Sequence, residues 1–228
     1  MKVVILAAGQ GTRLGEGGGP KPLTTLANGK SILEMQLENF TKYISNNDIY
    51  IVVGYQKEMV MSYFPDVTFI DNPAFAEENT AKSLLRAFQH FDDDVIWING
   101  DVVFHDDILD NILQATESSM VVNIGDVGDE EVKYRTDEKG RIIEVSKNVQ
   151  FPEGEALGIN VFLKDDLAKL KHNLEVCDNQ DYFEKGIEAS IQQGLKILPL
   201  VVKQEDCVEI DFPEDVLKAN RLISSWDL

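Results

Sequence analysis

Leu6-Ala7-Ala8-Gly9-Gln10-Gly11-Thr12-Arg13-Leu14, followed by Pro20-Lys21-Pro22-Leu23, constrains this chain more than any other stretch. The residues leading into it, 1–7, are a short apolar run rich in β-branched side chains, the pattern of a buried strand. The run ends in small residues and two glycines. Without a Cβ, glycine lets the backbone turn sharply and approach a ligand, so that its N–H groups can point at phosphate oxygens. Arg13 and Lys21 set two cations beside that turn, one a planar fork and one a compact point charge. Spacing excludes two familiar phosphate loops. A dinucleotide-binding fingerprint needs a third glycine where Leu14 stands, and no Gly-Lys-Ser/Thr follows at P-loop spacing.

Beyond the loop, strands alternate with helices. Asn28-Gly29 marks a turn, Ser31 and Glu34 make a capping box, and Leu33, Leu37, Phe40 and Ile44 recur at helical spacing. Residues 49–53 read as a second buried strand, 57–63 as a short helix and 67–70 as a third strand. A helix opens near Glu78, with Asn79 or Thr80 as its N-cap and Ala81, Leu84, Leu85 and Phe88 facing inward. Residues 95–99 form a strand that runs out on Gly100-Asp101, and Asp106-Asp107 starts another helix. This alternation predicts a Rossmann-like, doubly wound α/β sheet whose ligands bind at the carboxyl ends of the strands, where the glycine loop sits.

From about Ser119 the character changes. Residues 120–124, 132–137, 141–146 and 156–163 read as strands of a small mixed or antiparallel lobe beside the main sheet. Helices at 164–174 and 181–193, strands at 195–202 and 208–211, and a closing helix complete the chain. No long linker separates independent units. The expectation is one domain in two halves, 1–118 and 119–228.

A formal charge of −19 argues against nucleic-acid or anionic-membrane partners. It also means that a nucleotide would be an anion entering an anionic protein, so local cations and a divalent metal must overcome the global field. No apolar run reaches transmembrane length and no signal-peptide pattern is present. Cys177 and Cys207 lack metal-ligand spacing and read as buried free thiols, which suit a reducing, cytoplasmic setting. His90, His105 and His172 are scattered and receive no role. A carboxylate just past a buried strand, beside a glycine, suits a metal or phosphate site, and Asp101 is so placed. Glu209 and Asp211, two apart on a strand, would project to one face. Hard oxygen donors with no His or Cys beside them suit Mg2+.

The glycine loop with Pro-Lys-Pro-Leu resembles the signature of the sugar-nucleotidyltransferase superfamily at nearly every position, and the resemblance runs along essentially the whole chain. It is closest to the compact cytidylyltransferases for phosphocholine, aminoethylphosphonate and inositol phosphate. The residues that carry it are Asn79 to Leu84, Gly100-Asp101, Gly154-Glu155-Ala156-Leu157-Gly158-Ile159, and Glu209-Ile210-Asp211 with Glu214-Asp215.

The resemblance implies a GT-A-like nucleotidyltransferase fold. It also implies Mg2+-dependent transfer of CMP from CTP to a small phosphorylated acceptor, releasing pyrophosphate. Such a reaction is limited by bringing two anions together in line, so positioning and electrostatics carry it. Leu6, Ala7, Ala8, Gly9, Gly11 and Thr12 would then cradle the nucleotide, with Asn79, Thr80 and Ser83 near its base or ribose. Arg13 would grip the β- and γ-phosphates, and Lys21 would stabilise charge at the α-phosphate. Asp101, Glu209 and Asp211 would hold the metal. Lys147, after Gly140-Arg141-Ile142-Ile143-Glu144, would reach the acceptor phosphate. One departure stands out: 119–162 contain Tyr134, Phe151 and Phe162 but no Trp for an aromatic cage over a quaternary ammonium. That favours a phospho-polyol, phospho-sugar or phospho-amine as acceptor. A sugar-1-phosphate uridylyl- or thymidylyltransferase and a non-catalytic nucleotide-binding regulatory domain are the two alternatives. The sequence leaves the oligomeric state open.

Overall fold

Alternating apolar side chains within strands of five or six residues require a layer on each side of a sheet, and that is how the chain is built. The computed structural model describes residues 1–11 and 19–226. Strands β1 (Lys2–Ala7), β2 (Ile49–Val53), β3 (Thr68–Asp71) and β4 (Val95–Asn99) pair in parallel in the order β4-β1-β2-β3. Helices α1 (Ile32–Thr41), α2 (Lys57–Tyr63) and α3 (Thr80–Ala87) connect them. Beyond β4 lie β9 (Gly154–Phe162), β6 (Ser119–Val122) and the edge strand β10 (Leu198–Val201). β9 runs antiparallel to both neighbours, which makes the sheet mixed.

The layers follow from strand alternation. Val4, Leu6 and Trp97 face one side and pack with Ala81 and Leu84 of α3, Leu167 and Leu170 of α5 (Lys164–Val176), and Phe183 and Ile187 of α6 (Phe183–Gln192). Val3, Ile5, Ile96 and Ile98 face the other and pack with Leu33, Leu37 and Phe40 of α1, Val60 of α2, and Ile108 and Ile112 of α4 (Ile108–Leu113). The capping box at Ser31 and Glu34 is formed, with the Glu34 amide donating to Ser31 Oγ at 3.2 Å and the Ser31 amide to Glu34 Oε2 at 2.6 Å.

The second half differs from its expected layout in one respect. Of the four strands expected in the lobe, β7 (Lys133–Thr136) and β8 (Ile142–Ser146) leave the main sheet, pairing antiparallel with each other, and β7 also with the start of β9. β6, β9 and β10 instead extend the main sheet, because β9 is long enough to serve both surfaces. A two-residue-wide apolar pattern cannot reveal that sharing.

A further two-stranded ribbon was not expected: β5 (Val102–Phe104) pairs antiparallel with β11 (Cys207–Glu209). A small third core of Val103, Val208, Ile210, Leu26 and Ile32 closes under α7 (Pro213–Trp226) through Ala219 and Ile223. Both cysteines are free: Cys207 is buried and Cys177 partly so. Among the described residues no helix is long and apolar enough to cross a membrane.

Candidate active site

The two strands that carry the site leave the sheet side by side. β1 and β4 are parallel neighbours with Leu6 opposite Asn99, and the Gly100 amide donates to the Leu6 carbonyl at 2.9 Å. The glycine loop and Asp101 therefore emerge at the same carboxyl-terminal end, where ligands bind in open α/β sheets. Leu6, Ala7 and Ala8 are buried, and a Cβ built on Gly9 meets nothing within 4 Å among the described residues. Gly11 has φ +60, and a Cβ there would lie 2.7 Å from Lys21 Cβ, so only glycine lets the loop lie against the lysine stem. Thr12 and Arg13 lie outside the described residues.

Lys21 starts a single 3-10 turn, Lys21–Leu23, between Pro20 and Pro22, whose rings fix the backbone. Its ammonium is buried and stands 2.7 Å from Asp101 Oδ2 and 2.7 Å from Asp211 Oδ1. Burial pulls the Lys21 pKa down, but the two carboxylates outweigh it and the net shift is upward. The loop lysine and two of the expected metal ligands thus meet at one point.

Glu209, the third, is beside them. Burial first, then the charges of Asp101 and Asp211, push its carboxyl well above the usual carboxylate range, while Lys21 pulls the other way. Asn99 Nδ2 donates to Glu209 Oε1 at 3.5 Å. Asp101 Oδ1 is buried and has no hydrogen-bond partner among the described residues.

β11 ends at Glu209, and its ladder with the β5 segment continues one residue further, the Ile210 amide donating to the Asp101 carbonyl at 2.9 Å. Asp211 follows, and Asp215 Oδ2 accepts from the amides of Asp211 and Phe212 at 3.0 and 2.7 Å. The β5–β11 ribbon carries Glu209 across more than a hundred residues of sequence to Asp101.

Asn79, Thr80 and Ser83 lie at the start of α3 and are engaged within the protein. Asn79 is the N-cap, and its Nδ2 donates to the Gln180 carbonyl at 3.3 Å. Thr80 Oγ1 accepts from the Phe183 amide at 3.0 Å, and Ser83 Oγ, buried, accepts from Asn72 Nδ2 at 3.0 Å. The Asn79 and Thr80 bonds tie α3 to the start of α6 and the residues before it, and the Ser83 bond ties it to Asn72 just after β3. Lys147, after β8, sits 3.4 Å from Glu130 and 5.9 Å from the centroid of the Tyr182 ring.

No cage forms from the aromatics expected near an acceptor. Tyr134 is buried with its hydroxyl donating to the Asn123 carbonyl at 3.2 Å, Phe162 packs on Trp97, and Phe151 is 90% exposed.

Two residues escape a motif reading. Gln36 Nε2 donates to the carbonyls of Asn99 and Val102 at 2.9 and 2.7 Å, holding the bend that delivers Asp101. Its signal is an amide on the buried face of α1, between Leu33 and Leu37. Asn99 is the second, legible only as a polar end to an apolar strand. Glu155, from the Gly154–Ile159 stretch, has its pKa raised by burial, and Asn123 Nδ2 donates to it at 3.1 Å. Among the described residues, the trio of His, Cys, Asp or Glu ligand atoms within 4.8 Å of one another is His105, Asp106 and Asp107. There His105 Nδ1 accepts from the Asp107 amide at 3.2 Å and so opens α4, away from the glycine loop.

Residues 3–138, more than half the chain, match the MobA-like NTP transferase domain. The chain belongs to that family. As a MobA-like NTP transferase domain it is 33% identical over 235 residues to the bifunctional protein GlmU of Methanococcus maripaludis strain C5, a match covering 96% of this chain and 54% of the relative. The chain thus spans about half the length of that relative. Two solved structures share the fold of this NTP transferase domain. The inositol-1-phosphate CTP transferase of T. maritima superposes with a TM-score of 0.83 at 18% identity, covering 99% of this chain and 96% of that one. The CTP:phosphocholine cytidylyltransferase LicC of Streptococcus pneumoniae gives 0.80 at 20% identity, covering 97% and 98%.

Proposed function

We propose that this NTP transferase domain moves CMP from CTP to a small phosphorylated acceptor and releases pyrophosphate. The observation that carries the reading is Lys21 clasped between Asp101 and Asp211 at the foot of a glycine loop, with the half-buried Glu209 feeling the charges of all three. A module that only binds nucleotide has no need to converge a lysine and three carboxylates where the triphosphate would lie.

In this reading the open backbone at Gly9 and Gly11 receives phosphate oxygens, and Lys21 turns toward the α-phosphate as charge grows there. Arg13 takes the β- and γ-phosphates. The residues fit a hard divalent cation: the donors are all oxygen, Asp101 Oδ1 is buried without a partner among the described residues, and the Glu209 carboxyl is desolvated. Asp101, Glu209 and Asp211 would hold Mg2+, which supplies charge neutralisation on the phosphate oxygens when bound. Leu6 to Ala8 and the start of α3, with Asn79, Thr80 and Ser83, wall the nucleoside side.

Residues 1–118 serve the nucleotide and 119–228 the acceptor, the two halves sharing one sheet through β9. Lys147 then meets the acceptor phosphate from the second half. With Tyr134 and Phe162 buried, the acceptor side has no ready cage for a quaternary ammonium, which supports a phospho-polyol, phospho-sugar or primary phospho-amine. The base is drawn from the resemblance to compact cytidylyltransferases, and a cytoplasmic setting follows from the reduced cysteines and the substrate.

Pyrophosphate release tests the reading. Each nucleoside triphosphate is paired with a panel of phosphorylated polyols, sugars and amines, in wild type and Asp101→Ala. Release with CTP that collapses in the variant supports it. Release with UTP or dTTP and a sugar 1-phosphate reassigns the base, and no release with any pair supports the non-catalytic alternative.

A further inference from the structure

We propose that the Lys21 ammonium holds the place of the divalent cation between the site carboxylates, so that metal and triphosphate load together rather than in sequence. This rests on the nucleotidyltransferase reading above.

Lys21 Nζ lies 2.7 Å from both Asp101 Oδ2 and Asp211 Oδ1, the inward-facing oxygens of two of the three candidate metal ligands. The Lys21 side chain is 10% exposed, against 19% for Asp101 and 33% for Asp211, so the pairs are partly buried rather than surface ones. A divalent cation brought to the same oxygens would find them occupied and would be repelled by the ammonium at contact distance. Of Asp101, only Oδ1 is left without a partner among the described residues. The ammonium and the metal therefore compete for one position.

The structure also supplies the way out. The Lys21 backbone is held: Pro20 and Pro22 flank it, its carbonyl accepts from the Thr24 amide at 3.0 Å, and the Pro20 carbonyl accepts from the Leu23 amide at 2.8 Å. Its four-carbon stem is the flexible part. That stem runs along the glycine loop, with Cβ, Cγ and Cδ at 2.7, 3.4 and 3.5 Å from where a Gly11 Cβ would stand. Rotating the outer stem back over Gly11 carries the ammonium from the carboxylates toward the loop that receives phosphate. A triphosphate there is the counter-charge that draws it out, and a divalent cation takes up the Lys21-facing oxygens of Asp101 and Asp211. Each ligand thus creates the other's site, a reciprocal coupling.

The test measures Mn2+ binding by electron paramagnetic resonance, and thermal midpoints with MgCl2 or MnCl2 against EDTA, all without nucleotide. The proteins are wild type, Lys21→Met, and the double variant Lys21→Met/Asp101→Asn. Lys21→Gln, which keeps an amide donor between the carboxylates, replaces Lys21→Met if that variant does not fold. The expected result is Mn2+ binding about tenfold tighter or more in the Lys21 variant than in wild type. That variant should melt below wild type in EDTA and rise by about 5–10 °C at saturating metal, an effect the double variant loses. Equal Mn2+ affinity in wild type and Lys21 variants overturns the placeholder role while leaving the carboxylates as a metal site. No Mn2+ binding in any variant overturns both the placeholder and the metal assignment.

Discussion

Gly100→Ala probes the joint between scaffold and site. Gly100 is buried at the end of β4, and a Cβ there would stand 2.8 Å from the Leu6 carbonyl oxygen, 3.2 Å from Pro22 Cγ and 3.3 Å from Ala7 Cα. The first of these is backbone in the middle of the sheet and cannot step aside, so the end of β4 must lift from β1. Overpacking of this kind costs about 1–3 kcal/mol. Lifting also weakens the Gly100 amide bond to the Leu6 carbonyl, worth about 1 kcal/mol. Loss of unfolded-state entropy on replacing glycine returns about 0.4–1 kcal/mol. The net is about 1–3.5 kcal/mol, or a midpoint lower by about 2–14 °C for a chain of this size. Asp101 is the next residue and Pro22 the next to Lys21, so the displacement passes directly to the 2.7 Å clasp. Turnover, read by pyrophosphate release well below both midpoints, should therefore fall by about tenfold or more, beyond any loss of folded protein. A variant that melts within a degree of wild type and turns over at full rate would refute the argument that this packing sets the site.

Two further outcomes follow from the same structure. Burial raises the Glu184 carboxyl to about 7 in the folded state, so the fold keeps a proton that the unfolded chain releases above about 4.5. Stability contributed here is full below about 4.5 and is lost as pH rises toward about 7; Glu184→Gln should flatten that slope, by at most about 3 kcal/mol, in denaturant melts across pH. Lys147→Met should raise the acceptor KM about tenfold and leave the triphosphate KM and stability nearly unchanged, since its ion pair with Glu130 at 3.4 Å is partly solvated. An unchanged acceptor KM would remove Lys147 from the site.

Elements with their own periodicity were open to reading from the chain. The apolar run into Gly9, the Ser31–Glu34 box, the strand at Ile49–Val53 and the helix at Lys57–Tyr63 all stand where local pattern puts them. β5 was hidden because three apolar residues after Asp101 carry no period, and their partner β11 lies about a hundred residues on. That pairing brings Glu209 to Asp101, and the Asp215 side chain accepts from the Asp211 amide. The candidate residues were therefore visible one by one, as a lysine after a glycine loop and carboxylates after strands. Their convergence was not, because a clasp between Lys21, Asp101 and Asp211 is a property of tertiary pairing. Gln36 and Asn99 were missed for a related reason: a buried amide reveals its task only through the carbonyls or carboxylate it meets.

Thermal unfolding with each of CTP, UTP, dTTP, GTP and ATP, with and without Mg2+, tests the central claim most directly. A ligand at a hundred times its dissociation constant adds about 2.7 kcal/mol, which moves the midpoint by about 5–10 °C. The account predicts that rise with CTP and Mg2+ together, its loss in Asp101→Ala, and little change with the other four. A midpoint that none of the five shifts, with or without metal, would contradict the assignment of the Lys21–Asp101–Asp211 clasp to nucleotide chemistry.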